Sequence, residues 1–146
     1  MVISSKAEKA FRERLFKAFK ELGYVDGMAL DEAEIAEISD IIYWSQLLDN
    51  AEGVKKETYL VYTFQNPGSS IYADNDKKYQ DFVLHIDLFS TLLEESKQMF
   101  KIRNNLEEEL IKQGFRVNFI YRSYDQRMKL FHYTYEVKLG YGEQKD

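Results

Sequence analysis

The stretch that most constrains the fold is residues 79–89, YQDFVLHIDLF, where apolar and polar side chains alternate with a period of two. Phe82, Leu84, Ile86 and Leu88 fall on one side of an extended chain. Tyr79, Asp81, Val83, His85, Asp87 and Phe89 fall on the other. A strand with one apolar and one mixed face belongs to an antiparallel or mixed sheet covered on one side. Three more runs repeat the pattern. Residues 57–65 set Leu60, Tyr62 and Phe64 against Tyr59, Val61 and Thr63. Residues 115–123 align Phe115, Val117, Phe119 and Tyr121, and residues 128–139 turn Phe131, Tyr133, Tyr135, Val137 and Leu139 inward.

Two segments of helical period can supply the cover. Residues 5–22 start with Ser5 and Glu8, a capping box, and carry Phe11, Leu15, Ala18, Phe19 and Leu22 on one stripe before Gly23. Residues 91–113 start with Thr91 and Glu94, again a capping box, and place Leu92, Met99, Phe100, Ile102, Leu106 and Leu110 on a buried stripe before Gly114. Residues 24–56 are less patterned. Asp31-Glu32-Ala33-Glu34 can cap a short helix through Ile38, Ile41 to Leu47 read as extended, and Asp49 to Gly53 read as a turn or loop. Ser69 to Lys78 read as a long polar loop, and Gly140 to Asp146 as a polar tail. The expected fold is α+β: a single domain over residues 1–146, with an antiparallel or mixed sheet of four to five strands and both long helices on one face.

A chain of 146 residues buries about two-thirds of its unfolded surface, so it folds without metal or disulfide. It has no cysteine, which excludes disulfides, thiolate zinc sites and cysteine nucleophiles. No apolar run reaches transmembrane length, and the first residues do not read as a signal peptide. The net charge of −5 disfavours duplex binding, which relies on neutralising phosphates. Lys6, Lys9, Arg12, Arg14, Lys17 and Lys20 crowd the first helix, whereas residues 21–53 hold acidic residues and no Lys or Arg. Such segregation suits head-to-tail contacts between copies. Aromatic residues make up 15% of the chain, a composition that suits interfaces as well as cores.

Candidate chemistry is sparse. His85 and His132 are the only histidines, and with Asp81 and Asp87 they could form a zinc site if their strands were neighbours. Ser69, Ser70 and Ser90 lie in no nucleophile elbow. Asp74, Asn75 and Asp76 lack the glycine and the distal glutamate of a calcium loop, and no phosphate-cradling glycine motif is present. Arg116, Arg122, Arg127 and Lys129 alternate with Phe119, Tyr121 and Tyr124 as a modest basic–aromatic patch. These residues imply no enzyme, cofactor or metal.

One resemblance goes further. Tyr59-Leu60-Val61-Tyr62, Tyr72-Ala73-Asp74-Asn75, Val83 through Ser90, Gly114-Phe115, Tyr124-Asp125 and Phe131-His132-Tyr133 occur in an order that resembles the tail terminator, or tail completion, proteins of long-tailed bacteriophages. Residues 24–56 are longer and more acidic than that family's pattern. The resemblance implies a non-enzymatic virion protein assembled in the bacterial cytoplasm. It would form a homo-oligomeric, hexameric ring between the tail tube protein and the head connector or neck protein, with DNA passing through unread and no membrane involved. On this reading Tyr72, Asp74, Asn75, Asp76, Arg122 and Arg127 are expected at assembly contacts. Two rivals accompany it: another head–tail joining protein, and a cytosolic binding module or small enzyme using the His85/His132 face.

Overall fold

The computed structural model describes residues 2–27, 39–45, 57–65, 70–73 and 76–142. Helix α1 (Val2–Glu21) is followed by short strands β1 (Val25–Asp26) and β2 (Ile41–Trp44). Next come β3 (Thr58–Phe64), β4 (Ser70–Ala73), β5 (Asp76–Ser90), helix α2 (Lys97–Lys112), β6 (Arg116–Asp125) and β7 (Leu130–Gly142). The strands of the described residues join one mixed sheet, ordered β1-β2-β3-β5-β7-β6, with β4 paired to the first part of β5. The class is α+β as expected, and among the described residues the sheet has seven strands where four to five were expected. The extra ones are short and carry too few residues to show a period. The β1–β2 and β2–β3 pairs are parallel and the rest antiparallel.

The alternation in β3, β5 and β7 determines which face is covered. Leu60, Tyr62, Leu84, Ile86, Leu88, Tyr133, Tyr135 and Val137 share a core with Phe11, Leu15, Phe19, Met99, Leu106 and Leu110 of the helices. Both helices therefore lie on one face. Phe11 is its hub, edge-on to Phe64, Phe82 and Phe115 at centroid distances of 5.3, 6.0 and 5.2 Å. Such pairs add to the stabilisation from burial. Gly23 and Gly114 take the positive φ of helix stops, at 79° and 96°.

Several expectations need correction. Helix α1 begins at Val2, so Ser5 lies within the helix instead of capping it; nothing in Val2 or Ile3 breaks a helix. The second helix begins six residues later than Thr91. Ser90 and Thr91 are tied to the sheet instead, Ser90 Oγ to Thr58 Oγ1 at 2.8 Å and the Thr91 amide to the Glu57 carbonyl at 2.8 Å. Ser96 is the N-cap, its hydroxyl accepting from the Met99 amide at 3.1 Å. Phe100, assigned to the buried stripe, is 72% exposed. It stands one position, about 100° around a helix, from the Met99–Leu106–Leu110 stripe. Part of the expected polar loop is paired strand: Ser70↔Gln80 through Ala73↔Asp76. Finally, β6 changes face. Phe119 pairs with Tyr135 and Tyr121 with Thr134, so a bulge at Ile120 sends Tyr121 to the face opposite Phe119. The proposed short helix through Ile38 and the turn at Asp49 to Gly53 lie outside the described residues, as does the tail beyond Gly142.

Candidate functional site: the open face and the free margin of the sheet

On the face away from the helices, five adjacent strands contribute one ring each to a continuous ladder. Trp44 of β2 meets Tyr59 of β3 edge-on at 5.3 Å, and Tyr59 stacks on Phe89 of β5 at 5.0 Å. Phe89 stacks on His132 of β7 at 4.3 Å, and His132 meets Tyr121 of β6 at 6.0 Å. Exposure rises along it, from 1% at Trp44 to 50% at Tyr121. The alternation puts these rings on one face, and the bulge at Ile120 brings Tyr121 round to complete the row.

A polar group sits beside the ladder. Asp87 of β5 pairs across with Thr134 of β7. Asp87 Oδ1 accepts the Thr134 hydroxyl at 2.8 Å and the His132 Nε2–H at 2.7 Å. An ionised carboxylate only accepts, so Nε2 carries a proton. Burial acts to raise the Asp87 pKa, but the hydrogen bonds from His132 and Thr134, with the charges of His132 and His85, outweigh it and hold the carboxyl below its ordinary value. Thr134 is 4% exposed and donates to Asp87, so its hydroxyl is committed to a tie between strands. His85 faces Glu136 at 4.0 Å, and Lys138 reaches Glu136 at 3.5 Å. The two histidines share the open face, but His85 pairs with Glu136 and His132 with Phe89. They are four strand positions apart, about 13 Å, and do not converge on one ligand. Among the described residues, no group of three or more His, Cys, Asp or Glu is placed to hold a metal.

The helix side shows a second feature. Arg103 of α2 lies 4.7 Å over the Phe119 ring and 4.5 Å over Tyr133, and its Nε donates to the Tyr135 hydroxyl at 2.9 Å. Tyr135 in turn donates to Glu107 at 3.1 Å. Burial pushes the Tyr135 hydroxyl up to about 12; its contacts with Arg103 oppose that rise and Glu107 adds to it. Arg122 pairs with Glu94 across the same margin. The exposed large apolar side chains of the described residues are Phe119, Ile120, Tyr121 and Tyr124 on β6, Phe100 and Ile111 on α2, and Leu93 just before α2. Between α1, α2 and the starts of β2 and β3, a cleft of about 730 Å³ is lined by Tyr24, Ser39, Glu57, Gln98, Lys101 and Asn105 among others.

The residues expected at assembly contacts fall in two places. Tyr72 lies in β4 opposite Lys77, and Asp76 opens β5, at the hairpin end; Asp74 and Asn75 are outside the described residues. Arg122 lies in β6 opposite Tyr133, which pairs with Leu88, and Arg127 is in the β6–β7 turn. From Asp76 to Leu88 is about 40 Å along a strand, so the two groups form no single patch. The basic–aromatic run on β6 is also divided between faces: Arg122 and Phe119 lie on the helix side, Tyr121 on the open side. The sequence pattern did not reveal the ladder, because its rings come one from each strand and only the register aligns them. It also missed the cleft, whose walls come from separate segments.

No family model matches this chain, and no curated protein matches it either.

Proposed function

We propose that this protein is a non-enzymatic virion component of a phage or prophage, a tail terminator that caps the tail tube, ends its polymerisation and joins it to the head connector. The observation that supports this reading best is the collection of exposed apolar side chains along one margin of a rigid sheet. Contiguous apolar surface on a small domain marks a protein contact, and aromatic residues are enriched in such contacts. In this reading the subunits form a ring, hexameric on the tail, through which DNA passes without sequence-specific contacts. In this reading the β4–β5 hairpin, with Tyr72 and Asp76, meets the tube or the connector.

Deleting the gene from its phage or prophage and imaging the particles by negative stain tests the proposal. Overlong or ragged tails without heads are expected. Tails of normal length that fail to join heads would make it a neck protein instead. Normal virions would refute a virion role and turn attention to ligands of the His85/His132 face.

A further inference from the structure

Strand β6 is the outer strand on one side of the sheet, and its ten residues pair only with β7 among the described residues. Nearly all of it is exposed. A long exposed edge is a template for another strand, and proteins usually blunt it with charges, bulges or a cover. Here the bulge lies at the middle, and the charged residues lie at positions that match one another. The faces follow from the β7 partners, since directly paired residues share a face. Arg116, Asn118, Tyr121, Ser123 and Asp125 pair with open-face residues of β7, and Val117, Phe119, Arg122 and Tyr124 with helix-face ones.

Without the bulge, the first and last residues of a ten-residue strand would lie on opposite faces. With it, the pattern reads the same from either end. Turned about a point between Ile120 and Tyr121, the strand sets Arg116 against Asp125 and Asn118 against Ser123 on the open face. It sets Val117 against Tyr124 and Phe119 against Arg122 on the helix face. The pairs are complementary: two of opposite charge, two polar, two apolar and two of a cation with a ring, with Arg122 also bonded to Glu94 and Phe119 also under Arg103. Asp125 Oδ1 already accepts the Met128 amide at 3.0 Å, but a carboxylate has acceptor sites beyond that bond.

The helix layer agrees with this. Arg103 reaches toward β6 from α2, and Gln98, Lys101 and Asn105 face the cleft on the opposite flank. Phe100 and Ile111 are eleven positions apart, about 20° around a helix. They share the β6-side flank, 72% and 59% exposed. A second copy turned about the same axis brings its own α2 flank toward this one, covering the apolar residues above the joined strands.

We infer that β6 is a self-pairing edge: two copies of this chain join antiparallel along β6 about a two-fold axis between Ile120 and Tyr121, with their α2 flanks closing over the seam. The occupant is a second copy because the strand complements itself in both charge and face. The contact describes the protein away from the tail and goes beyond the terminator reading; its test needs no phage.

Light scattering of the purified chain across a concentration series reads its mass directly. A dimer of the 17.3 kDa chain is expected. Arg116→Glu alone and Asp125→Lys alone each place like charges across both ends of the seam, and each should weaken the dimer on the order of tenfold or more. Mixing the two variants restores opposite charges at both ends, so a heterodimer should return. Circular dichroism checks that each variant is folded. Because the chain has no cysteine, Asn118→Cys and Ser123→Cys give a second reading. Mild oxidation should link one variant to the other in a mixture, and neither to itself. A monomer at every concentration would overturn the inference. So would an assembly unaffected by both charge changes, or one that the mixture does not restore.

Discussion

His132 lies flat on Phe89, with the ring planes 14° apart, while Nε2 of the same imidazole meets Asp87 at 2.7 Å. The stack and the hydrogen bond together fix one ring between β5 and β7. Asp87 is therefore a carboxylate whose folded environment favours its charged form.

This gives a pH dependence of definite sign. The Asp87 pKa is lowered in the folded protein, so the unfolded chain takes up the proton first as pH falls. The stabilisation is complete above the ordinary aspartate value, about 3.9, and is lost as pH drops through the lower folded value. Asp87→Asn should cost about 1–3 kcal/mol at neutral pH, the scale of hydrogen bonds to a charged group. Urea unfolding at stepped pH should show the gap to the parent closing in acid. A gap that stays constant into acid would contradict this assignment.

Tyr133 and Tyr135 make a contrasting pair. The Tyr133 hydroxyl is buried without a hydrogen-bond partner among the described residues, and the Tyr135 hydroxyl has both Arg103 and Glu107. Removing an unpaired buried hydroxyl relieves a desolvation cost, whereas removing a bonded one strands its partners. Tyr133→Phe should be neutral or raise the melting temperature. Tyr135→Phe should lose about 1–2 kcal/mol. The reverse order in thermal melts would show that the Arg103 network does not hold.

The start of α2 can be tested in the same way. Ser96→Ala removes the hydroxyl that accepts from Met99 and should cost about 1 kcal/mol. Thr91→Ala removes only a 3.5 Å contact to the Glu57 carbonyl and should change stability by less than about 0.5 kcal/mol. Urea midpoints of the two variants decide between Ser96 and Thr91 as the cap.

Neighbouring positions on α2 should behave very differently. Met99 is fully buried and Phe100 is 72% exposed. Met99→Ala should destabilise by about 2–5 kcal/mol. Phe100→Ser should stay within about 0.5 kcal/mol when measured on dilute protein. Equal losses would mean that α2 is rotated about its axis.

The sequence was most informative where burial enforces a period. The alternation through Leu84, Ile86 and Leu88 identified both the strand and its covered face, and Phe11, Leu15 and Phe19 identified the helix packed there. It was least informative where a long-range tie overrides a local signal. Thr91 and Glu94 make a good capping box, but Ser90 is bonded to Thr58 and the Thr91 amide to Glu57, so the chain cannot turn into a helix there. Phe100 is as apolar as its neighbours, and only the angular position of Met99 decides which of them is buried. Within the candidate site, His85 and His132 were legible as open-face residues. The ladder, the bulge at Ile120 and the pairing of Asp87 with His132 were not, because each depends on the register between strands distant in sequence.

The centre of the sheet also sets the order in which the molecule can form. β5 is paired with β7 from Ser90↔Phe131 to Tyr79↔Gly142, and all of α2 and β6 lie between them in the chain. Contacts this distant in sequence slow folding, whereas the β6–β7 hairpin is local. A nascent chain that has emerged only through α2 has α1 and β3 in hand, but the flank of β5 that β7 will occupy is still unpaired. Folding on the ribosome therefore waits for the final hairpin, and the interval before it arrives is when this protein is most exposed to misassembly.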